Sequence, residues 1–214
     1  MDEDISAINT STRNEKIKNF FVNNKKTIII VLSILILLVV GYFVYDEIGK
    51  RNKIKIADQY NSSRINYFSG NKLNVENKLI EIIKTNDKSY SPLALYFLLD
   101  NNIISSKEKI NSLFDILINE TKVDKEINNL IIYKKALYNS EFETENNLLK
   151  ILNPVINSES IWKSHGLYLM AEYFLSKNEK QKSKEFFEKI LILENSNPQI
   201  KLEAQKRIQR DFSE

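Results

Sequence analysis

The stretch at residues 164–195, SHGLYLMAEYFLSKNEKQKSKEFFEKILILEN, decides the fold of this chain. Two segments with the apolar periodicity of helices flank a polar break that contains Asn178. The small position of the tetratricopeptide pattern is taken by Ala171 in the first segment and by Ser183 in the second. Two antiparallel helices approach closely where a small side chain on one faces a bulky side chain on the other. The stretch therefore predicts a helical hairpin that crosses at Ala171 and Ser183.

This hairpin is the last copy of a repeat. Branched aliphatic pairs recur at Ile82-Ile83, Ile116-Leu117, Ile151-Leu152 and Ile190-Leu191, at spacings of 34, 35 and 39 residues. A period of about 34 residues made of two helices is typical of tetratricopeptide repeats. One such pair does not bury its apolar face alone, so neighbouring pairs stack into a solenoid.

The last unit fits the tetratricopeptide pattern better than the earlier, more degenerate units. Phe174 and Phe187 fill the aromatic positions that follow the small residues, and Asn178 takes the turn position usually held by Gly. Ile190, where Ala is usual, and Asn195, where Pro is usual, depart from the pattern. The charged segment after Pro198 suits a capping helix on the open end of the solenoid.

Start signals and breaks place the helices of the soluble part. We expect helices near residues 47–69, 73–85, 92–101, 106–119, 125–139, 144–153, 160–177, 179–194 and 198–211. Three helix N-termini are marked by capping residues: Ser91 before Pro92, a capping box from Ser105 to Glu108, and Asn197 before Pro198.

Composition narrows the function classes. The chain has 4 Gly and 3 Pro among 214 residues, which favours helices over folds rich in tight turns. It contains no Cys, so disulfides, thiolate metal sites and thiol nucleophiles are excluded. The net charge of +3, with Lys interleaved with Glu, does not suggest a nucleic-acid binder.

A second decisive stretch is NNKKTIIIVLSILILLVVGYFVYDE at residues 23–47. Its 19 residues at positions 27–45 are uncharged and would span about 28 Å as a helix, close to the hydrocarbon thickness of a bilayer. The run is longer than the apolar region of a signal peptide, and no small-x-small cleavage site follows it. The sequence therefore predicts an all-α protein with a single N-terminal transmembrane helix, a tetratricopeptide-like α-solenoid of about four helix pairs and a C-terminal capping helix.

The predicted organisation has three parts: a cytoplasmic tail at residues 1–26, a transmembrane anchor at 27–45 and a domain at 46–214 on the other side of the membrane. Lys25 and Lys26 precede the anchor, and Asp46 and Glu47 follow it, which favours a cytoplasmic N-terminus although the wider Lys and Arg counts tie. In the tail, EKIKNFFVNNKK at residues 15–26 is either a short interfacial helix or an unstructured basic segment. Residues 1–12 are expected to be disordered.

Over nearly its whole length the chain resembles the YfgM-like ancillary subunits of the bacterial Sec translocon. The likeness rests on IKNFFVNNKK before the anchor, YNSS and SGN after it, the segment IWKSHGLYLMAEYFLSKNEKQKSKEFFEKI with the sole Trp162, and the charged last helix. The resemblance implies a bacterial inner-membrane protein with a cytoplasmic N-terminus and a periplasmic repeat domain. It also implies association with the SecYEG translocon and the membrane-anchored chaperone PpiD, and a role in handling newly exported polypeptides.

The sequence contains no phosphate-binding, dinucleotide-binding, zinc-protease or calcium-loop motif, and it has one histidine. We therefore expect no enzyme activity and no cofactor, metal or small-molecule substrate. The repeat alignment predicts a partner-binding concave surface at Tyr133, His165, Tyr168, Glu172 and Leu175, with Ala136 as a further candidate. The alternative is that these residues pack against the next repeat or the capping helix. Trp162 is expected in the core.

Three functional hypotheses follow from the sequence. The leading one is a membrane-anchored interaction module at the Sec translocon that binds a periplasmic chaperone and assists newly exported proteins. The second is an anchored scaffold for another cell-envelope assembly complex. The third is a regulatory adaptor that faces the cytoplasm.

Overall fold

The computed structural model describes Arg13, residues 15–16 and residues 18–212, and within these all regular structure is helical. The predicted disorder of residues 1–12 lies outside the described residues, whereas residues 18–23 are helical. The helices that follow are α1 (Lys25–Phe68), α2 (Val75–Lys84), α3 (Tyr90–Asp100), α4 (Lys107–Asn119), α5 (Lys125–Asn139), α6 (Glu145–Ile156), α7 (Lys163–Ser176), α8 (Lys180–Ile192) and α9 (Pro198–Asp211).

Helix α1 is long and apolar enough to cross a membrane. It contains an 18-residue window with a mean hydropathy of 3.0, none of which is buried. The sequence suggested separate helices at 27–45 and 47–69, but α1 is continuous. Two pairs one turn apart, Asp46 with Lys50 and Glu47 with Arg51, each at 2.7 Å, favour helix at the junction.

The chain divides into two compact units, one ending at Lys55 and the other beginning at Ile56. In the second unit each helix from α2 to α9 packs against the next. Helix α2 also packs on α4, α5 on α7, and α7 on α9. Contacts between helices two apart stack helix pairs into a solenoid, so the predicted helical repeat architecture is confirmed.

The end of α1 is part of the core of the second unit. Phe97 of α3 is surrounded edge-on by Tyr60, Tyr67 and Phe68, with ring centroids 6.4, 5.5 and 5.8 Å away. Edge-to-face aromatic pairs at this spacing are favourable beyond their buried area. These contacts explain why the predicted first repeat helix forms despite its weak repeat signature.

The last hairpin crosses at the predicted small residues. Ala171 of α7 and Ser183 of α8 are both fully buried, and Ser183 Oγ donates a hydrogen bond to the Ala171 carbonyl oxygen at 2.8 Å. Phe174 and Phe187 are fully buried as well. Asn178 adopts the left-handed conformation with a φ of 62°, which is why Gly usually occupies this turn position.

The capping helix closes the solenoid as expected. Asn197 Oδ1 accepts hydrogen bonds from the backbone N–H groups of Gln199 and Ile200, so the predicted start of α9 is confirmed. Helix α9 packs on α7 and α8, and Ala204 is its one buried residue. An amphipathic helix with a narrow buried face suits the end of a solenoid, where one side meets water.

The predicted N-cap at Ser91 is wrong. Helix α3 begins earlier, at Tyr90, because Asp87 Oδ1 accepts hydrogen bonds from the backbone N–H groups of Ser89 and Tyr90, at 2.9 and 2.7 Å. Ser91 is fully buried, and its Oγ donates to the Ile82 carbonyl oxygen of α2 at 2.9 Å. Its role is therefore to join two helices.

Two other predicted helix ends shift by a few residues. The cap of α4 is Ser106, not Ser105: its Oγ accepts from the backbone N–H of Lys109 and donates to Glu108. Helix α6 runs past the expected end at residue 153 and includes Pro154. Because Pro154 lies in the last turn, its missing N–H removes one hydrogen bond where the helix is already ending.

Candidate functional site: an aromatic cluster between α5 and α7

Three aromatic side chains meet where α5 stacks on α7. The ring of Tyr133 from α5 stacks on Trp162, with centroids 6.0 Å apart and an interplanar angle of 18°. His165 of α7 lies 5.8 Å from Tyr133 and 5.0 Å from Trp162, measured between ring centroids. We call these three residues the aromatic cluster. All three are half-buried, so each retains surface that a ligand can contact.

Hydrogen bonds to the first turn of α5 fix the chain that carries Trp162. Glu126 accepts from Ser160 Oγ at 2.7 Å and from the backbone N–H of Ile161 at 3.2 Å. Ser160 Oγ in turn accepts from the backbone N–H of Trp162 at 3.1 Å. The segment before α7 is therefore held against α5, and Ile161, the residue before Trp162, is 63% exposed.

The surroundings of the cluster favour uncharged rings at neutral pH. Burial lowers the pKa of His165, which favours the neutral imidazole, and burial raises the pKa of Tyr133, which favours the neutral phenol. Uncharged aromatic faces bind apolar side chains and prolines by contact, and they attract cations through their quadrupoles. The cluster is thus suited to non-covalent recognition.

Tyr168 and Glu172 face the capping helix. The Arg207 guanidinium of α9 donates to the Glu172 carboxylate and, at 3.1 Å, to Asp211 Oδ2. Tyr168 packs on Phe187, with ring centroids 5.4 Å apart, and burial raises the pKa of its hydroxyl. These two predicted site residues therefore make intramolecular contacts at the end of the solenoid.

The other two candidates are not members of the aromatic cluster. Leu175 is half-buried and is the residue before the last in α7. Ala136 is fully buried in the core between α5 and α7, so its side chain offers no surface to a partner. Of the residues predicted for the surface, the structure brings Tyr133 and His165 together.

Trp162 and Tyr96 were not predicted from the sequence to belong to a binding surface. Trp162, expected in the core, is half-buried and stacks on Tyr133. Tyr96 of α3 carries Lys134 of α5 over its ring, with Nζ 5.0 Å from the centroid, and burial raises the pKa of Tyr96 to about 12. Tyr96, Tyr133 and Tyr168 are 37 and 35 residues apart, close to the repeat period, and this spacing was the available signal.

Among the residues that the structure describes, no group of three or more His, Cys, Asp or Glu side chains could hold a metal ion. A scan against protein-family models, a search of curated proteins and a search of solved structures each find no match to this chain.

Proposed function

We propose that this protein is a membrane-anchored protein–protein interaction module. The observation that carries the proposal is the aromatic cluster, in which half-buried rings from two successive repeats meet and the residue before Trp162, Ile161, is exposed. Solenoids use such surfaces to hold extended peptides or helices of their partners. The proposed function is therefore binding through aromatic and apolar contacts.

The membrane part of the proposal rests on α1. Residues 27–45 anchor the chain in the bacterial inner membrane, with residues 1–26 in the cytoplasm and residues 46–214 in the periplasm. The support is the hydropathy of α1 and the position of Lys25 and Lys26 before the apolar run. A reporter that works in one compartment, fused after residue 214, tests this orientation. Activity of a cytoplasm-only reporter there would contradict it and favour the cytoplasmic adaptor.

The proposed partners are the SecYEG translocon, a PpiD-like membrane-anchored chaperone and newly exported polypeptides. The support for these names is the sequence resemblance to the YfgM-like subunits. Anchoring two proteins in one membrane raises their effective concentration, so a weak solenoid contact is sufficient for association. The protein then keeps a chaperone close to chains that emerge from the translocon.

Affinity purification of the full chain in mild detergent tests whether these partners bind. A pair of variants then tests whether they bind at the aromatic cluster. Ile161→Asp places a charge at the residue before Trp162, whereas Leu202→Asp places the same charge on a 51% exposed leucine of α9. We expect translocon or chaperone subunits to copurify with the unmodified chain and with Leu202→Asp, and to be depleted by Ile161→Asp. Recovery of a different envelope complex would support the scaffold hypothesis instead.

A further inference from the structure

A groove on the other side of α7 forms a second surface. It has a volume of about 560 Å³ and lies between α6, α7 and α8. Its apolar lining consists of Leu149, Ile156, Leu167, Phe186, Ile192 and Leu193. On α7 it uses positions 163 and 167, which at 100° per residue point away from His165. The groove and the aromatic cluster share no residue.

Two positive charges accompany this apolar lining. Lys163 and Lys189 line the groove, and neither forms a salt bridge within the described part of the chain. Lys189 Nζ lies 4.4 Å from the centroid of the Phe186 ring. No carboxylate is among the described residues that line the groove. We call this surface the lysine groove.

Three other lysines of the same unit bridge to carboxylates on a different helix or helix cap at 2.6–2.8 Å: Lys109 to Glu76, Lys135 to Asp115 and Lys182 to Glu145. The lysine groove thus combines apolar surface with two lysines that form no salt bridge within the described part of the chain. Its complement is an apolar surface bordered by negative charge.

The shape of the groove selects the class of partner. Its walls come from three α-helices, whose interior backbone groups are already hydrogen-bonded, so an extended peptide finds no strand edge to pair with. A helix satisfies its own backbone groups and does not need such an edge. Ile192 is 81% exposed at the groove, so the ligand keeps one side in water. An acyl chain prefers enclosure, whereas an amphipathic helix has a polar face for the open side.

We propose that the lysine groove docks an acidic amphipathic helix of a partner protein. Apolar side chains one turn apart enter between Leu167, Phe186 and Ile192. Acidic side chains that flank this apolar stripe lie beside Lys163 and Lys189. This contact is separate from the proposed function of the aromatic cluster, and either surface can bind without the other.

Binding of two matched peptides to the full chain in zwitterionic lipid nanodiscs tests the proposal. Each peptide has about 16 residues, long enough to form a helix on binding, with Leu at i, i+3, i+4 and i+7. The flanking positions are Glu in one peptide and Lys in the other. Fluorescence anisotropy of labelled peptide reports the affinity, and empty nanodiscs correct for binding to lipid.

We expect the Glu peptide to bind at least about tenfold more tightly than the Lys peptide, because both lysines attract the one and repel the other. The double variant Lys163→Glu/Lys189→Glu reverses this order. Ile192→Asp lowers the affinity for the Glu peptide by about tenfold, whereas Leu202→Asp on α9 leaves this affinity unchanged. Since Ile192 and both lysines are not buried, circular dichroism is expected to show these variants folded.

Five results would overturn the proposal. The first four are no binding of the Glu peptide at millimolar concentration, equal affinities for the two peptides, no effect of Ile192→Asp, and Ile192-dependent self-association of the chain in sedimentation. Tighter binding of decanoate than of the Glu peptide would assign the groove to an acyl chain and also overturn it. Ile161→Asp should leave peptide binding unchanged, so failure here is distinguishable from failure of the proposed function.

Discussion

Replacing Ser183 with leucine tests the packing that defines the last repeat. Ser183 is fully buried, and its Oγ lies 2.8 Å from the Ala171 carbonyl oxygen of the facing helix. Leucine adds a branched side chain where the two helices are in contact, and overpacking of this kind costs about 1–3 kcal/mol. Loss of the hydrogen bond contributes about 1 kcal/mol more. We therefore expect Ser183→Leu to lower the free energy of unfolding by about 2–4 kcal/mol.

Ser183→Ala separates the two contributions. Alanine removes the hydrogen bond without adding volume, and its higher helix propensity offsets about 0.5 kcal/mol of that loss. The Ala171 carbonyl also remains inside α7, where the helix supplies a second donor. The alanine variant should therefore lose less than about 1 kcal/mol of stability. Most of the leucine effect then comes from the close approach of the helices.

Urea unfolding followed by the fluorescence of the sole tryptophan, Trp162, measures these effects, because Trp162 directly precedes α7. A loss of about 3 kcal/mol lowers the urea midpoint by about 1–3 M. Ser112→Leu is the matched control, since Ser112 is exposed in α4, and we expect it to change stability by less than about 0.5 kcal/mol. If Ser183→Leu unfolds at the same midpoint as Ser112→Leu, the inferred close crossing is wrong.

Three further predictions concern the turn, the capping helix and the histidine. Asn178→Ala should destabilise the hairpin by about 1 kcal/mol because its φ is 62°, whereas Asn178→Gly should not destabilise it; urea unfolding would refute this if the two variants behave alike. Arg207→Ala should cost about 1–2 kcal/mol and speed hydrogen exchange in α9, because it leaves the half-buried Glu172 without its cation; unchanged exchange would refute it. Burial lowers the pKa of His165, so the unfolded chain binds its proton more readily and stability falls as the pH drops from about 7 through the lowered pKa. His165→Asn should flatten this dependence in urea titrations at pH 5 to 7, and an equally steep slope in that variant would contradict the assignment.

The aromatic cluster was only partly predictable from the sequence. Tyr133 and His165 followed from the repeat alignment, because positions along a helix face are fixed by the helical period. The alignment gave no reason to separate them from Tyr168 and Glu172, which Arg207 and the rest of α9 engage. The direction in which α9 packs on the solenoid decides which of these residues it covers. The repeat pattern does not specify that direction.

The burial of individual residues was likewise not predictable from the local sequence. Ser91 looks like a helix cap in the sequence, yet it is buried and bonds to the Ile82 carbonyl of the neighbouring helix. Caps compete with nearby alternatives, and here the Asp87 carboxylate binds the first backbone N–H groups. Trp162 likewise stacks on Tyr133, a residue of another repeat.

The sequence by itself determined the helical class, the apolar helix near the N-terminus, the crossing at Ala171 and Ser183, the turn at Asn178 and the cap at Asn197. Each of these depends on residues close together in the chain, through helix periodicity, backbone conformation or local hydrogen bonds. The tertiary structure alone decided that Tyr133, Trp162 and His165 meet, that Arg207 bonds to Glu172, and that Lys163 and Lys189 share an apolar groove. These features depend on which helices approach and at what angle, and side chains from distant parts of the chain set that angle together.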